Sequence, residues 1–284
     1  MIRALAALVA ALWLASCGEP ARDWPEPSPA LWEVSGAQGE KGWLFGTIHA
    51  LPDGADWRTP LLDSVLAQTG VLVVEVSNLG DADVASQAFT AFAAGRGLPP
   101  LLSRVPAQDR PALAAALERA DIDEAELAAT ESWAAAMLIA NASRASESGN
   151  GVDRALLSRG LPAIALESYP AQFSIFDRLA PEDQQVLLVE TARSDAAKEQ
   201  ALVAAWIAGD TAAIERETLG GFLADPELRE ALLVKRNQAW AERIEPLLAE
   251  GRRPLVAVGT AHLLGPDGVA ALLEARGYTV RRIQ

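Results

Sequence analysis

The stretch Phe-Gly-Thr-Ile-His-Ala-Leu-Pro-Asp-Gly at residues 45–54 has a counterpart near the other end of the chain, Val-Gly-Thr-Ala-His-Leu-Leu-Gly-Pro-Asp-Gly at residues 258–268. Each copy has the pattern of a strand, a Gly-x-x-His turn, an Asp-Gly loop, a helix and a second strand. Two copies of one unit predict a sheet with pseudo-symmetric halves. Between them, residues 81–209 have mostly helical apolar spacing. The predicted fold class is therefore α/β (α+β), with a mixed central sheet and a largely helical middle segment.

Apolar runs and turn residues locate the individual elements. Residues 71–76 are apolar on both faces, which predicts a buried central strand, and Glu75 lies near its end. A second short strand is expected at residues 161–167 and ends in Glu167. The remaining predictions are a hairpin formed by 32–34 and 42–46, helices over 60–68, 226–250 and 266–276, and strands over 254–258 and 278–283.

The two histidines of the chain, His49 and His262, occur in the same Gly-x-x-His context. A glycine at the end of a strand lets the backbone turn and leaves room for a ligand, so Gly46 and Gly259 are candidate substrate-binding positions. Imidazole is a common metal ligand and a natural base near neutral pH. The recurrence predicts that both histidines belong to one site.

Two carboxylates end the predicted internal strands. Burial would raise the pKa of Glu75 unless a cation or hydrogen-bond donors lie nearby. With two imidazoles it would complete a usual set of ligands for a divalent metal, and it is also a candidate for proton transfer. Glu167 is a candidate catalytic acid or base, or a further ligand; a structural salt bridge is its alternative.

Charge and missing motifs exclude several functions. The formal charge of −14 argues against nucleic-acid binding, which requires a basic surface. The chain has no Gly-x-Ser-x-Gly, no His-Glu-x-x-His and no Gly-x-Gly-x-x-Gly motif, and its single cysteine excludes a disulfide within the chain.

The beginning of the chain resembles a bacterial lipoprotein signal. A short positive start and an apolar run end in Leu-Ala-Ser-Cys at residues 14–17, which predicts cleavage before Cys17 and its lipidation, with a palmitate-type acyl anchor. We therefore expect a signal peptide over 1–16, a lipidated tether over 17–30 and one domain over 31–284. The expected location is the cell envelope, on the periplasmic face of the inner or outer membrane, where Cys17 contacts the bilayer.

Together the motifs make the chain similar to the TraB/GumN family, which is related to the Tiki metalloproteases. The similarity runs over nearly the whole predicted domain, and the block at 256–268 is its most specific part. The blocks that carry it are Leu-Phe-Gly-Thr-Ile-His-Ala-Leu-Pro at 44–52, Val-Leu-Val-Val-Glu-Val at 71–76, Gly-Val-Asp at 151–153, Ala-Leu-Glu-Ser at 165–168, Lys-Arg-Asn-Gln-Ala-Trp at 235–240 and the stretch at 256–268.

This resemblance implies a metal-dependent hydrolase with His49, His262 and Glu75 as ligands of a divalent ion, manganese or cobalt in Tiki-type relatives. The implied substrate is a peptide or protein. Arg236 and Asn237 match a polar pair of the family, suited to clamping a substrate carbonyl or to supporting the ligands; a solvated helix face is their alternative. The turn Gly-Thr-Ala-His departs from the Gly-Ala-Gly-His that the family often has.

Two other functions are compatible with the same residues. One is a metal-independent, esterase-like hydrolase in which His49 is the base. The other is a non-catalytic lipoprotein that binds haem, metal or peptide in the same crevice. Metal analysis separates the leading hypothesis from the first alternative, and a visible haem absorption band would favour the second.

Overall fold

A mixed sheet forms the centre of the computed structural model, which describes residues 24–143 and 148–284. Its strands are β1 (Leu31–Ser35), β2 (Lys41–Thr47), β3 (Val71–Val74), β4 (Ala163–Ala165), β5 (Pro254–Gly259) and β6 (Thr279–Arg282). Within these residues the sheet has six strands in the order β4-β3-β5-β2-β1-β6. The neighbouring strands β4, β3, β5 and β2 are parallel to one another, whereas β1 is antiparallel to both β2 and β6. The predicted α/β class with a mixed sheet is confirmed.

The helices follow the predicted positions, and the middle of the chain is largely helical. They are α1 (Pro60–Gln68), α2 (Ala82–Ala93), α3 (Arg110–Ala120), α4 (Ser132–Ala142), α5 (Val152–Leu157), α6 (Tyr169–Asp177), α7 (Pro181–Arg193), α8 (Ala196–Ala208), α9 (Thr211–Gly220), α10 (Pro226–Arg229), α11 (Lys235–Ala249) and α12 (Val269–Ala275). The predicted helix over 226–250 differs from the structure, because a π turn at Glu230–Val234 separates α10 from α11. A π turn holds an extra residue and so changes the face on which later side chains lie.

The two strands that end in carboxylates are shorter than predicted. The regular ladder ends at Val74 and Ala165, but Leu166 N still donates to Val74 O and Glu167 N donates to Glu75 O, each over 2.8 Å. These bonds hold Glu75 and Glu167 side by side at one edge of the sheet. The two carboxylates are therefore neighbours, although each lies just beyond its strand.

Two parallel crossovers leave the centre of the sheet in opposite directions. The first runs from β2 through α1 to β3, and the second runs from β5 through α12 to β6. Leu62 of α1 packs on one face of the sheet with Phe45, and Leu273 of α12 packs on the other face with Leu44. The carboxyl ends of the neighbouring strands β2 and β5 are thus a topological switch point, the usual position of a ligand crevice in an open α/β sheet.

The middle helices have an apolar core of their own. Trp133 of α4 is fully buried there and its ring lies 5.6–6.0 Å from those of Phe89, Phe173 and Phe176. Among the described helices, none is long and apolar enough to cross a membrane. The predicted signal peptide and Cys17 lie outside the described residues, while the end of the predicted tether packs on the domain, where Ser28 N donates to Ile207 O.

Candidate active site

Three predicted side chains surround Gly259 at the carboxyl end of β5. A methyl group on Gly259 would lie 3.3 Å from Glu75 Oε1, 3.7 Å from His262 Cδ2 and 3.9 Å from His49 Nε2. The parallel pairing of Thr47 with Gly259 brings the ends of β2 and β5 together. The expectation that the strands before Gly46 and Gly259 lie in one sheet is confirmed, and both histidines reach the same small space.

His49 follows β2 and is oriented by Asp153 in the first turn of α5. Val152 N donates to Ile48 O over 3.1 Å and joins the start of α5 to the end of β2. Asp153 is buried; its Oδ1 accepts from Thr47 Oγ1 over 2.7 Å and its Oδ2 lies 3.0 Å from His49 Nδ1. A carboxylate only accepts, so Nδ1 carries the hydrogen and the lone pair of neutral His49 is on Nε2.

His262 lies in the 3-10 turn Thr260–Leu263 and is oriented by Asn237 of α11. Asn237 is 0% exposed, and its Nδ2 donates to Asp267 O over 2.8 Å. That bond leaves Asn237 Oδ1 facing His262 Nδ1 at 2.6 Å, so Nδ1 is the donor and the lone pair is on Nε2. The arrangement matches that of His49, with an amide in place of the carboxylate.

Glu75 is a buried carboxylate that three donors surround. Gly259 N donates to its Oε1 over 2.9 Å, while Arg236 Nη2 and Gln172 Nε2 lie 3.0 and 3.3 Å from its Oε2. Burial raises its pKa, but positive charge on His262, His49 and Arg236 and the Gly259 N–H outweigh burial and lower the pKa to about 2. Glu75 is therefore ionised at neutral pH.

Burial has the opposite consequence for His262, which is 8% exposed. It lowers the pKa of His262 to about 3; Glu75 raises this pKa, and Arg236 and His49 lower it further. His262 is therefore neutral at pH 7. At that pH the positive charge of Arg236 and the Gly259 N–H remain beside Glu75, whereas His262 adds none.

Arg236 of α11 connects the two strand-end carboxylates. Its Nε and Nη2 each donate to Glu167 over 2.9 Å, and Trp240 Nε1 donates to Glu167 Oε1 over 2.9 Å. The guanidinium also stacks on Trp240 at 4.8 Å. Burial lowers the pKa of Arg236, but its bonds and charge contacts with Glu167 and Glu75 outweigh burial and raise it. Glu167 thus lies in a salt bridge, while an acid or base role for it stays a prediction.

Gly46 does not face the space around Gly259. A methyl group on Gly46 would lie 2.6 Å from Thr260 Oγ1, and Gly46 O accepts from Trp206 Nε1 over 2.9 Å. Thr260 is buried and donates to Thr47 O over 3.1 Å. Gly46 and Thr260, the residue at which the second motif departs from the family pattern, therefore join β2 to the turn after β5. A substrate contact of Gly46 stays a prediction.

The donor types fit a divalent ion. Two imidazoles with fixed Nε2 lone pairs and one ionised carboxylate border a space that a methyl group would fill, and this is a typical ligand set with supporting partners. As placed, however, no three His, Cys, Asp or Glu side chains of the described residues are grouped closely enough for one ion. Arg236 lies between two of these side chains: it contacts Glu75 Oε2 and lies 3.3 Å from His262 Nε2.

Three contributors to this site had no role in the sequence prediction. Asp153 and Trp240 each lie within a block on which the family resemblance rests. The sequence therefore marked both residues, but it did not indicate that they contact His49 and Glu167. Gln172 lies in α6, outside those blocks, and reaches Glu75 only because α6 follows Glu167 directly.

Comparison with known proteins identifies a family. The model of the TraB/PrgY/gumN family matches residues 30–282, nearly the whole described chain. No curated protein and no solved structure matches the chain.

Proposed function

The chain belongs to the TraB/PrgY/gumN family, and from that premise we propose that it is a metal-dependent hydrolase whose substrate is a peptide. The observation that carries the proposal is the space around Gly259, toward which Glu75 and the Nε2 atom of His49 are directed. Proposed ligands are Glu75, His49 and His262. A divalent ion, manganese or cobalt by resemblance to the family, would supply Lewis acidity to a scissile carbonyl and to water.

The protein's own residues would orient the substrate and the ligands. Asp153 and Asn237 fix the tautomers of the two imidazoles, which places the lone pair of each ring on Nε2. Arg236 keeps a positive charge at the edge of the site, suited to the oxygen of a substrate carbonyl. Glu167 and Trp240 hold that guanidinium in place. Asn237 is fully buried, which favours support of His262 over contact with substrate.

A metal-independent hydrolase is the second candidate, and one observation favours it. His49 and Asp153 form a pair of the kind that activates water: the imidazole side chain is 64% exposed and the carboxylate 7% exposed. In this mechanism His49 Nε2 takes a proton from water as the water oxygen attacks the ester carbonyl carbon, Asp153 stabilises the imidazolium and Arg236 binds the carbonyl oxygen. The C–O bond of the ester then breaks, and the imidazolium returns the proton to the leaving alcohol.

A hydrolysis assay with chelator separates the two candidates. The full chain, purified in detergent, is treated with chelator and assayed on a peptide library and on simple esters, before and after addition of Mn²⁺ or Co²⁺. The metal proposal predicts peptide cleavage that chelator abolishes and the ion restores. Ester hydrolysis that is unaffected by chelator would instead support the His49–Asp153 mechanism. A chain without activity on either substrate class would count against both.

We further propose that the protein is an envelope lipoprotein anchored through Cys17. The Leu-Ala-Ser-Cys sequence at the end of the apolar run supports this, and an acyl anchor needs no spanning helix.

A further inference from the structure

The guanidinium of Arg236 lies against two of the proposed ion ligands. Its Nη2 donates to Glu75 Oε2 over 3.0 Å, and its Nη1 lies 3.3 Å from His262 Nε2. Neutral His262 has its lone pair on Nε2, so this nitrogen accepts from Arg236. A cation bound by Glu75 and His262 would require the same acceptor atoms.

Separate contacts anchor Arg236 away from those ligands. Two parallel hydrogen bonds join it to Glu167, and its plane stacks on Trp240. Fork-type pairs of this kind are the stronger and more directional arginine contacts. The contacts with Glu75 and His262 are single and longer, so they can be exchanged while the Glu167 fork remains.

The buried carboxylate of Glu75 requires a positive charge beside it, which Arg236 supplies in the ion-free protein and a divalent ion would supply when bound. Glu75 is a buried carboxylate, and a buried carboxylate without a partner is strongly destabilising. Arg236 and Glu167 nearly compensate each other, and the side chains of Arg236, Glu75 and Glu167 are only 11–12% exposed.

We propose that Arg236 is a built-in counter-cation, which occupies the acceptors of Glu75 and His262 in the ion-free protein and is displaced from them when a divalent ion binds. The inference rests on the proposed function, because it requires an ion at these ligands. In this role Arg236 opposes ion binding, because it competes for the ligand atoms. A residue that only oriented the ligands would instead promote ion binding.

The test is the affinity of the ion itself, measured without any substrate. Full-length protein in detergent is stripped with chelator and titrated with Mn²⁺ by calorimetry. Arg236→Gln removes both the competing donors and a unit charge, so it is expected to raise the affinity about 10- to 100-fold. Arg243→Gln is the matched control, since Arg243 lies on the same helix but donates to the backbone oxygens of Ala165 and Leu166. Its affinity should equal that of the unaltered protein.

A second variant covers the case in which Arg236→Gln fails to fold. Arg236→Lys keeps the charge but cannot form the fork to Glu167 while contacting Glu75 and His262. We expect it to raise the Mn²⁺ affinity by about threefold or more, less than Arg236→Gln. Circular dichroism of each stripped variant establishes that it is folded before titration.

The possible outcomes separate this inference from the proposed function. Tighter Mn²⁺ binding in the folded Arg236 variants, lost again when His262→Ala is added, supports it. If the unaltered protein binds Mn²⁺ and the Arg236 variants bind equally or more weakly, the counter-cation role is wrong and the metal site stands. If neither the unaltered protein nor any Arg236 variant binds Mn²⁺, the proposed metal function fails and this inference fails with it.

Discussion

At the scale of single residues, two hydrogen bonds determine which nitrogen of each imidazole can bind a ligand. Asp153 accepts from His49 Nδ1 and Asn237 accepts from His262 Nδ1, so Nε2 is the lone-pair atom in both. Neither partner is adjacent to its histidine in the sequence. The positions of the histidines at two neighbouring strand ends could be predicted from their motif, but their orientation depends on contacts that only the fold creates.

The metal-free protein is expected to lose stability as pH falls below about 6.5. The pKa of His262 is about 3 in the folded protein and 6.5 as its ordinary value, and that of Glu75 is about 2 instead of 4.5. Between pH 6.5 and about 3 for His262, and between pH 4.5 and about 2 for Glu75, the unfolded chain binds the proton before the folded chain does. The free energy of unfolding therefore decreases as pH falls. The slope per group is at most about 1.4 kcal/mol per pH unit.

Urea denaturation of chelator-treated protein at several pH values measures this slope. Between pH 6.5 and 4.5 the contribution of His262 acts without that of Glu75. His262→Gln is therefore expected to flatten the pH dependence in that interval. An unchanged slope in the variant would show that His262 is not buried in its neutral form.

Gly259→Ala tests whether the space around Gly259 is the binding site. The substitution keeps every proposed ligand but places a methyl group 3.3–3.9 Å from Glu75, His262 and His49. We expect Mn²⁺ affinity to fall at least about tenfold while the fold is retained, because the cavity is filled. Gly80→Ala is the control, since nothing lies within 4 Å of a methyl group there. Equal Mn²⁺ affinity in both variants would mean that the ion binds elsewhere.

At the scale of elements, the strand ends bring the site together, and the sequence predicts this part well. The apolar runs predict β2, β3 and β5, and the repeated motif locates both histidines at strand ends. Glu75 and Glu167 were expected at the ends of internal strands, and they are neighbours because β3 pairs with β4. Their shared partner Arg236 could not be predicted as such, because it comes from α11 after a π turn that no local pattern indicated.

The ends of β2 and β5 are predicted to be coupled through Gly46 and Thr260. Gly46→Ala is expected to cost about 1–3 kcal/mol of stability, because its methyl group would meet Thr260 Oγ1 at 2.6 Å. In a Thr260→Gly background the same change should cost clearly less, although Thr260→Gly itself destabilises. Urea denaturation of the double-mutant cycle measures the coupling, and Gly80→Ala again serves as the control. Strictly additive costs would contradict this contact.

At the scale of the whole molecule, the two crossovers on opposite faces of the sheet create the crevice. This arrangement was foreseen only as two similar units in one sheet. Which strand lies next to which depends on long-range packing: β1, the first strand, separates β2 from the last strand, β6. The sequence signal for the anchor lies outside this domain and requires its own test.

Cys17→Ser is expected to release the protein from the membrane fraction of a bacterial host while the domain remains folded. The reason is that the proposed anchor is a covalent lipid on Cys17. Fractionation and immunoblotting measure the distribution. Ser16→Ala is the matched control, since it keeps a small residue before the cysteine and should remain with the membrane. Retention in the membrane fraction of Cys17→Ser from which the signal peptide has been cleaved would contradict the lipoprotein proposal.

The central claim, that His49 and His262 bind one ion, is tested most directly by the metal content of two variants. His49→Ala and His262→Ala, in the full chain, are loaded with Mn²⁺ or Co²⁺, freed of excess ion and analysed by mass spectrometry beside Arg243→Gln. Because each substitution deletes a ligand of the same ion, bound metal and peptide hydrolysis should fall together in both variants and stay unchanged in the control. Full metal content and full activity in both histidine variants would contradict the account.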